Sequence, residues 1–449
     1  MSGAGLTGSI PASIGNLVNL VELKLWHNQL TGLPDAFGAM TKLQTAQPVR
    51  METTQLANGV NPDSDRESGT TVCSSASSDL QSENIASNQP NGESFNRTTD
   101  GPALSVDLSY NELSGGIPHF ITTLTNLQGL TLRGNKLKGP LPTEIGRLTK
   151  LETLTLAHNQ ISGEIPESIS GLVALKSLDL CRNVLIGRLP NSISSLVNLT
   201  HLSLDHNKLS GPLPTEIGLL SSLDSLSISH NQLCGEIPES FGNCTRLRLL
   251  RFSHNCFSGE IPKSIGNLLH LSTLDLSHNQ LSGEIPPIFM LSNLSTLRLN
   301  NNNLNTIFPR RLRLLELSHN QLSGPLPKFE AFKYIKTLHL DHNQFSGHLP
   351  TQDLKNLESL NLSHNQLSGP LPASMFGSMK QIAMLDLSSN QFSGLIPESL
   401  ECSWRLKLLD LSGNHLEGDL PDWFRMGSRN MSMIPLRWDR YGTISYTAE

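Results

Sequence analysis

Nine of the fifteen histidines share one setting, each immediately before an asparagine: His27, His158, His206, His230, His254, His278, His319, His342 and His364. Imidazole is a common metal ligand and titrates near neutral pH, so such a row could hold metal or sense protons. The position is, however, one phase of a longer repeat, in which Ser-His, Ala-His or Asp-His precedes Asn. Repeat consensus therefore explains the row, and no metal or cofactor is assigned. A second candidate chemistry lies in Arg248, Arg251, Arg298 and Arg313, whose forked guanidinium donors match a carboxylate or sulfate. Nucleophilic and phosphoryl-transfer chemistry find no support. No Ser/His/Asp motif, glycine-rich phosphate loop or kinase catalytic-loop signature occurs, so the chain is read as non-enzymatic. The cysteines lack zinc spacing. Cys244 reads as a small buried hydrophobe, while Cys234 and Cys256 fall at nearly one phase of adjacent repeats and could bridge.

Repetition must position these groups. The phrase Leu274-Asp275-Leu276-Ser277-His278-Asn279-Gln280-Leu281-Ser282-Gly283-Glu284-Ile285-Pro286 is one copy. Its asparagine recurs at Asn111, Asn135, Asn159, Asn183, Asn207, Asn231, Asn255 and Asn279, seven consecutive intervals of 24. The series continues at Asn302, Asn320, Asn343, Asn365, Asn390 and Asn414, and one copy stands apart at Asn28, which makes fifteen repeats. In Leu-x-Leu both leucines face inward on a short strand, because side chains alternate with period two. The Asn amide carries donors and acceptors for backbone groups left unpaired at a buried bend. Gly four residues later permits unusual backbone angles, and Pro seven residues later ends pairing. One coil cannot bury its own leucines; stacked coils can, so the array is the folding unit.

The pattern Leu-x-x-Leu-x-Leu-x-x-Asn-x-Leu-Ser-Gly-x-Ile-Pro, over residues 6–45 and 106–421, resembles the plant-type leucine-rich repeat. The resemblance implies an α/β solenoid: a leucine-rich repeat superhelix with a concave parallel β-sheet, short helical or irregular convex segments, and about fifteen repeats. Such arrays form the ectodomains of plant receptor kinases and receptor-like proteins, and also secreted inhibitors of polygalacturonases. The expected role is recognition of a peptide or protein ligand on the concave face, outside the plasma membrane, with a co-receptor kinase as partner. A secreted hydrolase inhibitor is the alternative. An intracellular scaffold would fit the missing leader but not the Gly-x-Ile-Pro pattern.

The outward residue of each Leu-x-Leu lines that concave face, and Asp is its commonest occupant. Departures from Asp are where a ligand would shape the surface. Thr131, Thr155, Ser203 and Ser227 form a small polar stretch, interrupted by Asp179, on which a peptide backbone could lie close. Arg251 and Arg298, flanked by Arg248 and Arg313, form a basic strip, with His339 two repeats beyond Arg298.

Residues 46–105 interrupt the register between Asn28 and Asn111, and their excision restores it. This insert holds eight acidic and three basic residues, a net of −5 against −6 for the whole chain. Only eight of its sixty residues are Leu, Ile, Val or Phe, a disordered composition. It is read as a disordered loop or a mistranslated intron, since a folded island would need more apolar content. A shorter 18-residue interval separates Asn302 from Asn320, where a kink or thinner convex wall is expected. Residues 1–45 are expected to lack the family's cysteine-bearing cap, and 422–449 form a non-repeat segment. The chain is read as a fragment of a longer parent.

A net charge of −6 argues against nucleic-acid binding. No apolar run approaches the roughly 18 residues of a membrane span, and no leader follows Met1. Sequons stand at Asn96, Asn198, Asn243, Asn293, Asn361 and Asn430. A chain this rich in Asn, Ser and Thr would contain about that many by chance, so only glycan occupancy would carry meaning.

Overall fold

The computed structural model describes residues 2–17, 20–34, 104–286, 288, 291–305, 312–326, 334–403 and 405–418, and the backbone of two strands, Leu436–Trp438 and Ile444–Tyr446. Each Leu-x-Leu lies on a short strand whose leucines point into one continuous core. Leu178 and Leu180 are both wholly buried, as are Leu154, Leu156, Leu250 and Leu274 to within 1%. Successive strands pair in parallel one repeat apart, so Leu154, Leu178, Leu202, Leu226, Leu250 and Leu274 form a single file. Fifteen strands, from Glu22–Lys24 to Leu408–Asp410, make the concave sheet. Its last strand is paired by a terminal hairpin, Ile444–Tyr446 running antiparallel to Leu408–Asp410 and to Leu436–Trp438. That hairpin covers an edge that would otherwise template aggregation.

A second set of short parallel ladders follows each asparagine, as in Lys208–Gly211, Gln232–Gly235 and Cys256–Glu260. The sequence had suggested only a turn there. The strand forms because Leu209, Leu233 and Phe257 are wholly buried, which anchors an extended segment before proline stops it. The convex wall is built from 3₁₀ turns rather than α-helix. Pro166 accepts from Ile169 N–H at 2.9 Å and Ile169 from Leu172 N–H at 3.1 Å, the i→i+3 pattern of a tight turn. One short α-helix, Ala373–Ser378, is the exception. Close stacking of this wall demands glycine: a Cβ on Gly171 would stand 2.3 Å from the Gly146 carbonyl oxygen. Among the described residues no helix is long and apolar enough to cross a membrane.

The bend after each strand hangs on the asparagine. Asn207 donates from Nδ2 to the carbonyls of Leu180 (3.0 Å), Leu204 (3.1 Å) and Asp205 (3.3 Å), and its Oδ1 accepts from Leu185 N–H (3.0 Å). One side chain therefore ties three consecutive segments across two coils. The residue before every repeat asparagine has a positive φ, from His27 at 54° to Gly413 at 63°. Outside glycine, Asn, Asp and His tolerate this left-handed backbone best, which supplies the physical reason for the histidine row. Most of the insert, and the segment spanning 306–311 within the short interval, lie outside the described residues. Strand Leu104–Asp107 nevertheless pairs directly with Glu22–Lys24. It begins before Val106, because Leu104 is buried to 2% and sits opposite Leu127. The last two residues of the supposed insert thus belong to the array.

Two outcomes are expected. Asn207→Ala leaves two buried carbonyls and one N–H short of a partner, at about 1–3 kcal/mol per group. Urea unfolding should show a loss of at least about 3 kcal/mol, with hydrogen exchange quickening most in the coils around residues 180–209. Excising 46–105 puts Leu43 at the spacing Leu-x-x-Val106 and into the place that Leu104 fills. The thermal midpoint should therefore stay within about 2 °C, roughly 1.5 kcal/mol or less for a chain of this size; a larger drop would mean that the segment packs against the array.

Candidate functional site: the concave face

Three parallel rows run along the inner face. The first is the outward residue of Leu-x-Leu, the second lies two positions on, and the third is the left-handed residue before asparagine. The first two rows lock each other. Asp275 Oδ1 accepts from Ser277 N–H (3.1 Å) and Oγ (2.6 Å). Asp107 with Ser109, Asp386 with Ser388, and Asp410 with Ser412 repeat that pair. Asn361 holds Ser363 in the same way. Asp is common in the first row because it closes this local ring.

Between Asp107 and Asp275 the full lock is missing from six successive coils. Thr131, Thr155, Ser203 and Arg251 are half-buried in the first row. Ser227 is buried and donates to Asp205 Oδ1 (2.7 Å), which also accepts from Ser229 N–H (2.6 Å). Burial raises the Asp205 carboxyl above its usual range, against the lowering effect of these bonds. Arg133, a second-row residue absent from the sequence reading, bridges Tyr110 Oη (3.0 Å) and Asp179 Oδ2 (3.2 Å). Its signal was available: Arg133 stands where other repeats carry Ser.

The basic strip takes a different form from that expected. Arg251, Asp275, Arg298, Glu316 and His339 are consecutive first-row neighbours, so the charges alternate. Arg298 Nε is paired with Glu316 Oε2 at 2.9 Å, and both side chains are largely buried. Arg248 lies on the strand's outer flank, paired with Asp224 at 3.1 Å, and Arg313 occupies the same flank, exposed. Arg251 is the first-row guanidinium without an ion pair among the described residues. His339 Nε2 meets Ser359 Oγ at 2.8 Å. Sequons Asn198, Asn243 and Asn293 are exposed away from the concave sheet, while Asn361 stands half-buried on it; Asn96 and Asn430 lie outside the described residues. Cys234 and Cys256 face each other in register on adjacent strands, both exposed and unbridged. Cys244 is buried, which pushes its thiol up to about 11.

In the third row the imidazoles stack more closely than the strand spacing of about 4.8 Å. Ring centroids are 4.2 Å apart for His206 and His230, 4.2 Å for His230 and His254, and 4.0 Å for His254 and His278. A second stack joins His319, His342 and His364 at 4.1 Å steps. Burial of ring faces pushes His230 down to about 4, and His254, His206 and His278 act in the same direction. The unfolded chain takes up this proton near 6.5, whereas the folded stack resists it to about 4. Between those values the unfolded state binds more protons, so stability falls as pH falls. His230→Asn keeps the left-handed backbone and removes the central imidazole. Thermal unfolding at pH 7 and pH 4.5 should show a smaller acid loss in that variant; equal losses would rule out the stack as their source.

Comparison with known proteins follows this geometry. Family models described as leucine-rich repeats match residues 19–40, 106–232, 221–281, 311–330 and 355–416. No curated protein matches the chain by sequence. Among solved structures, the plant peptide hormone receptor RGFR1, in complex with RGF2, is 30% identical with a TM-score of 0.74. The match covers 93% of this chain and 63% of that one, so the chain spans less than two thirds of that receptor structure. The Arabidopsis receptor kinase HAESA ectodomain, with an IDA peptide hormone ligand, is 30% identical with a TM-score of 0.65, covering 93% of this chain and 69% of that one. With IDA and the co-receptor SERK1, HAESA is 26% identical, TM-score 0.61, covering 94% and 71%. A Leptospira interrogans leucine-rich repeat protein, LIC12759, is 28% identical with a TM-score of 0.65, covering 96% and 94%. The chain belongs to the leucine-rich repeat family, and its repeats are those of a plant-type receptor ectodomain.

Proposed function

We propose that this chain recognises an extended peptide along the concave face between Thr131 and Arg251, as the extracellular recognition part of a plasma-membrane receptor. Signalling would pass through a partner kinase. The observation that carries this reading is the run of six coils in which the Asp–Ser lock is absent. At about 4.8 Å per strand that run spans roughly 29 Å, the length of eight or nine extended residues. Its first-row side chains are small apart from Arg251 and from Asp179, which Arg133 already pairs; this lets a backbone approach and gives an anionic group a partner at Arg251. The peptide hormones bound to RGFR1 and HAESA support the same class of ligand, and the co-receptor bound to HAESA supports a second protein partner.

Selection from a display library of random linear peptides against the intact chain tests this. A selected peptide should bind less tightly to Arg251→Ala by about thirty-fold or more, the cost of leaving a charge unpaired, and should fail against Thr155→Trp, which fills the groove. Arg248→Ala, on the outer flank, should bind as the parent does. Equal binding to all three variants, measured by calorimetry, would remove the groove from the mechanism.

A further inference from the structure

The nine histidines look equivalent in sequence, but one position beside them is not. The residue before the histidine is Ser in five of the nine and Asp in two, Asp205 and Asp341, and only Asp341 stands within reach of two imidazoles among the described residues. Asp341 is buried to 7%. Its Oδ2 lies 3.1 Å from His342 Nδ1 and 3.9 Å from His319 Nε2. The three ligand atoms all lie within 4.8 Å of one another. Among the described residues no other trio of His, Cys, Asp or Glu atoms comes so close.

We propose that His319, Asp341 and His342 bind a divalent transition-metal ion of the Zn²⁺ class through two imidazole nitrogens and one carboxylate oxygen, leaving a fourth position open to solvent. Imidazole and carboxylate in this ratio suit zinc, and three protein ligands with an open position are a known zinc arrangement. Zinc–ligand bonds of about 2.0–2.2 Å place tetrahedral ligand atoms roughly 3.3 Å apart. The 3.1 Å contact already meets that spacing. The wider gaps, 3.9 Å from Asp341 Oδ2 to His319 Nε2 and at most 4.8 Å within the trio, require the exposed His319 ring to turn out of its stack on His342.

The support around these ligands is also present. Ser318 Oγ donates to Asp341 Oδ1 at 2.5 Å, turning Oδ2 toward the histidines, as outer groups orient metal ligands elsewhere. His319 N–H donates to the Asp341 carbonyl at 2.9 Å, which fixes the two coils against each other. His364 stacks on His342 at 4.1 Å and limits the tilt of that ring. The longer stack has no equivalent. Asp205 beside His206 already accepts from Ser227 Oγ and Ser229 N–H through Oδ1. Asp275 near His278 is closed by Ser277.

The repeat supplies variants that should fold. Ser occupies the Asp341 phase in neighbouring coils as Ser318 and Ser363, and Asn301 occupies the histidine phase with φ 57°. The untagged full chain is titrated with ZnCl₂ by calorimetry and with Co²⁺ by visible absorption, which reports tetrahedral coordination. One ion per chain should bind. Asp341→Ser, His319→Asn and His342→Asn should each weaken Zn²⁺ by at least about tenfold, while His230→Asn and His254→Asn bind as the parent does. Circular dichroism confirms that each variant is folded, and either histidine variant decides the matter if Asp341→Ser is not. Absence of saturable binding, or an equal loss on His230→Asn, would overturn the site.

Discussion

The structure depends on one interaction, the burial of an asparagine amide at the bend of every coil. Asn207 ties three carbonyls and one N–H that belong to two coils. No apolar side chain could do this, and an aspartate would offer acceptors where donors are needed. The leucine stack supplies most of the driving force, but it is non-directional. The amide turns a pile of aliphatic coils into a register. It also imposes the left-handed residue before it, and that residue in turn imposes the third row of the concave face.

Legibility in the sequence follows the same division. Fold, sheet and repeat count could be read because Leu178, Leu180 and Asn183 answer to local rules repeated many times over. The second ladder could not, because Gln232-Leu233-Cys234-Gly235 looks like a turn until Leu233 is seen in the core. Leu104 was assigned to the insert because excising 46–105 restores the register; its burial comes from the opposing Leu127, a neighbour only in space. The row positions of the candidate residues were legible, and their pairing was not. Arg251 and Arg298 stand where expected, yet Glu316 neutralises one of them. Pairing between coils is set by alignment of three rows at once, and a single motif contains only one coil.

The Asp–Ser pair shows how an array this regular keeps its inner face from being featureless. Where Asp and Ser occupy the first two rows, the Ser hydroxyl and N–H and one carboxylate oxygen satisfy one another, which leaves the face no free hydroxyl donor there. Such coils are stable and silent. The pair is broken at Thr131 and Ala157 and inverted at Ser203 and Asp205, and these are the coils on which the proposed ligand surface lies. Since contacts in a solenoid pass only between neighbours, the cost of a broken lock stays within that coil and is carried by the leucines beneath it.

Two unlocked intervals result, one on either side of Asp275. The first is long, with small residues and one free guanidinium, and it suits a backbone lying across strands. The second runs from Arg298 to Asp341 and is short and ion-paired, with two imidazoles beside a buried carboxylate. Their chemistry differs although the backbone beneath them is the same. The difference lies in which row departs from the repeat. In the first interval the first row keeps Asp only at Asp179, so small hydroxyl side chains dominate that row. In the second the carboxylate moves two positions along, to the second row, where the left-handed backbone has already placed histidines. The same shift at Asp205 is answered by Ser227 and Ser229, whereas Asp341 keeps one carboxylate oxygen toward His319 and His342.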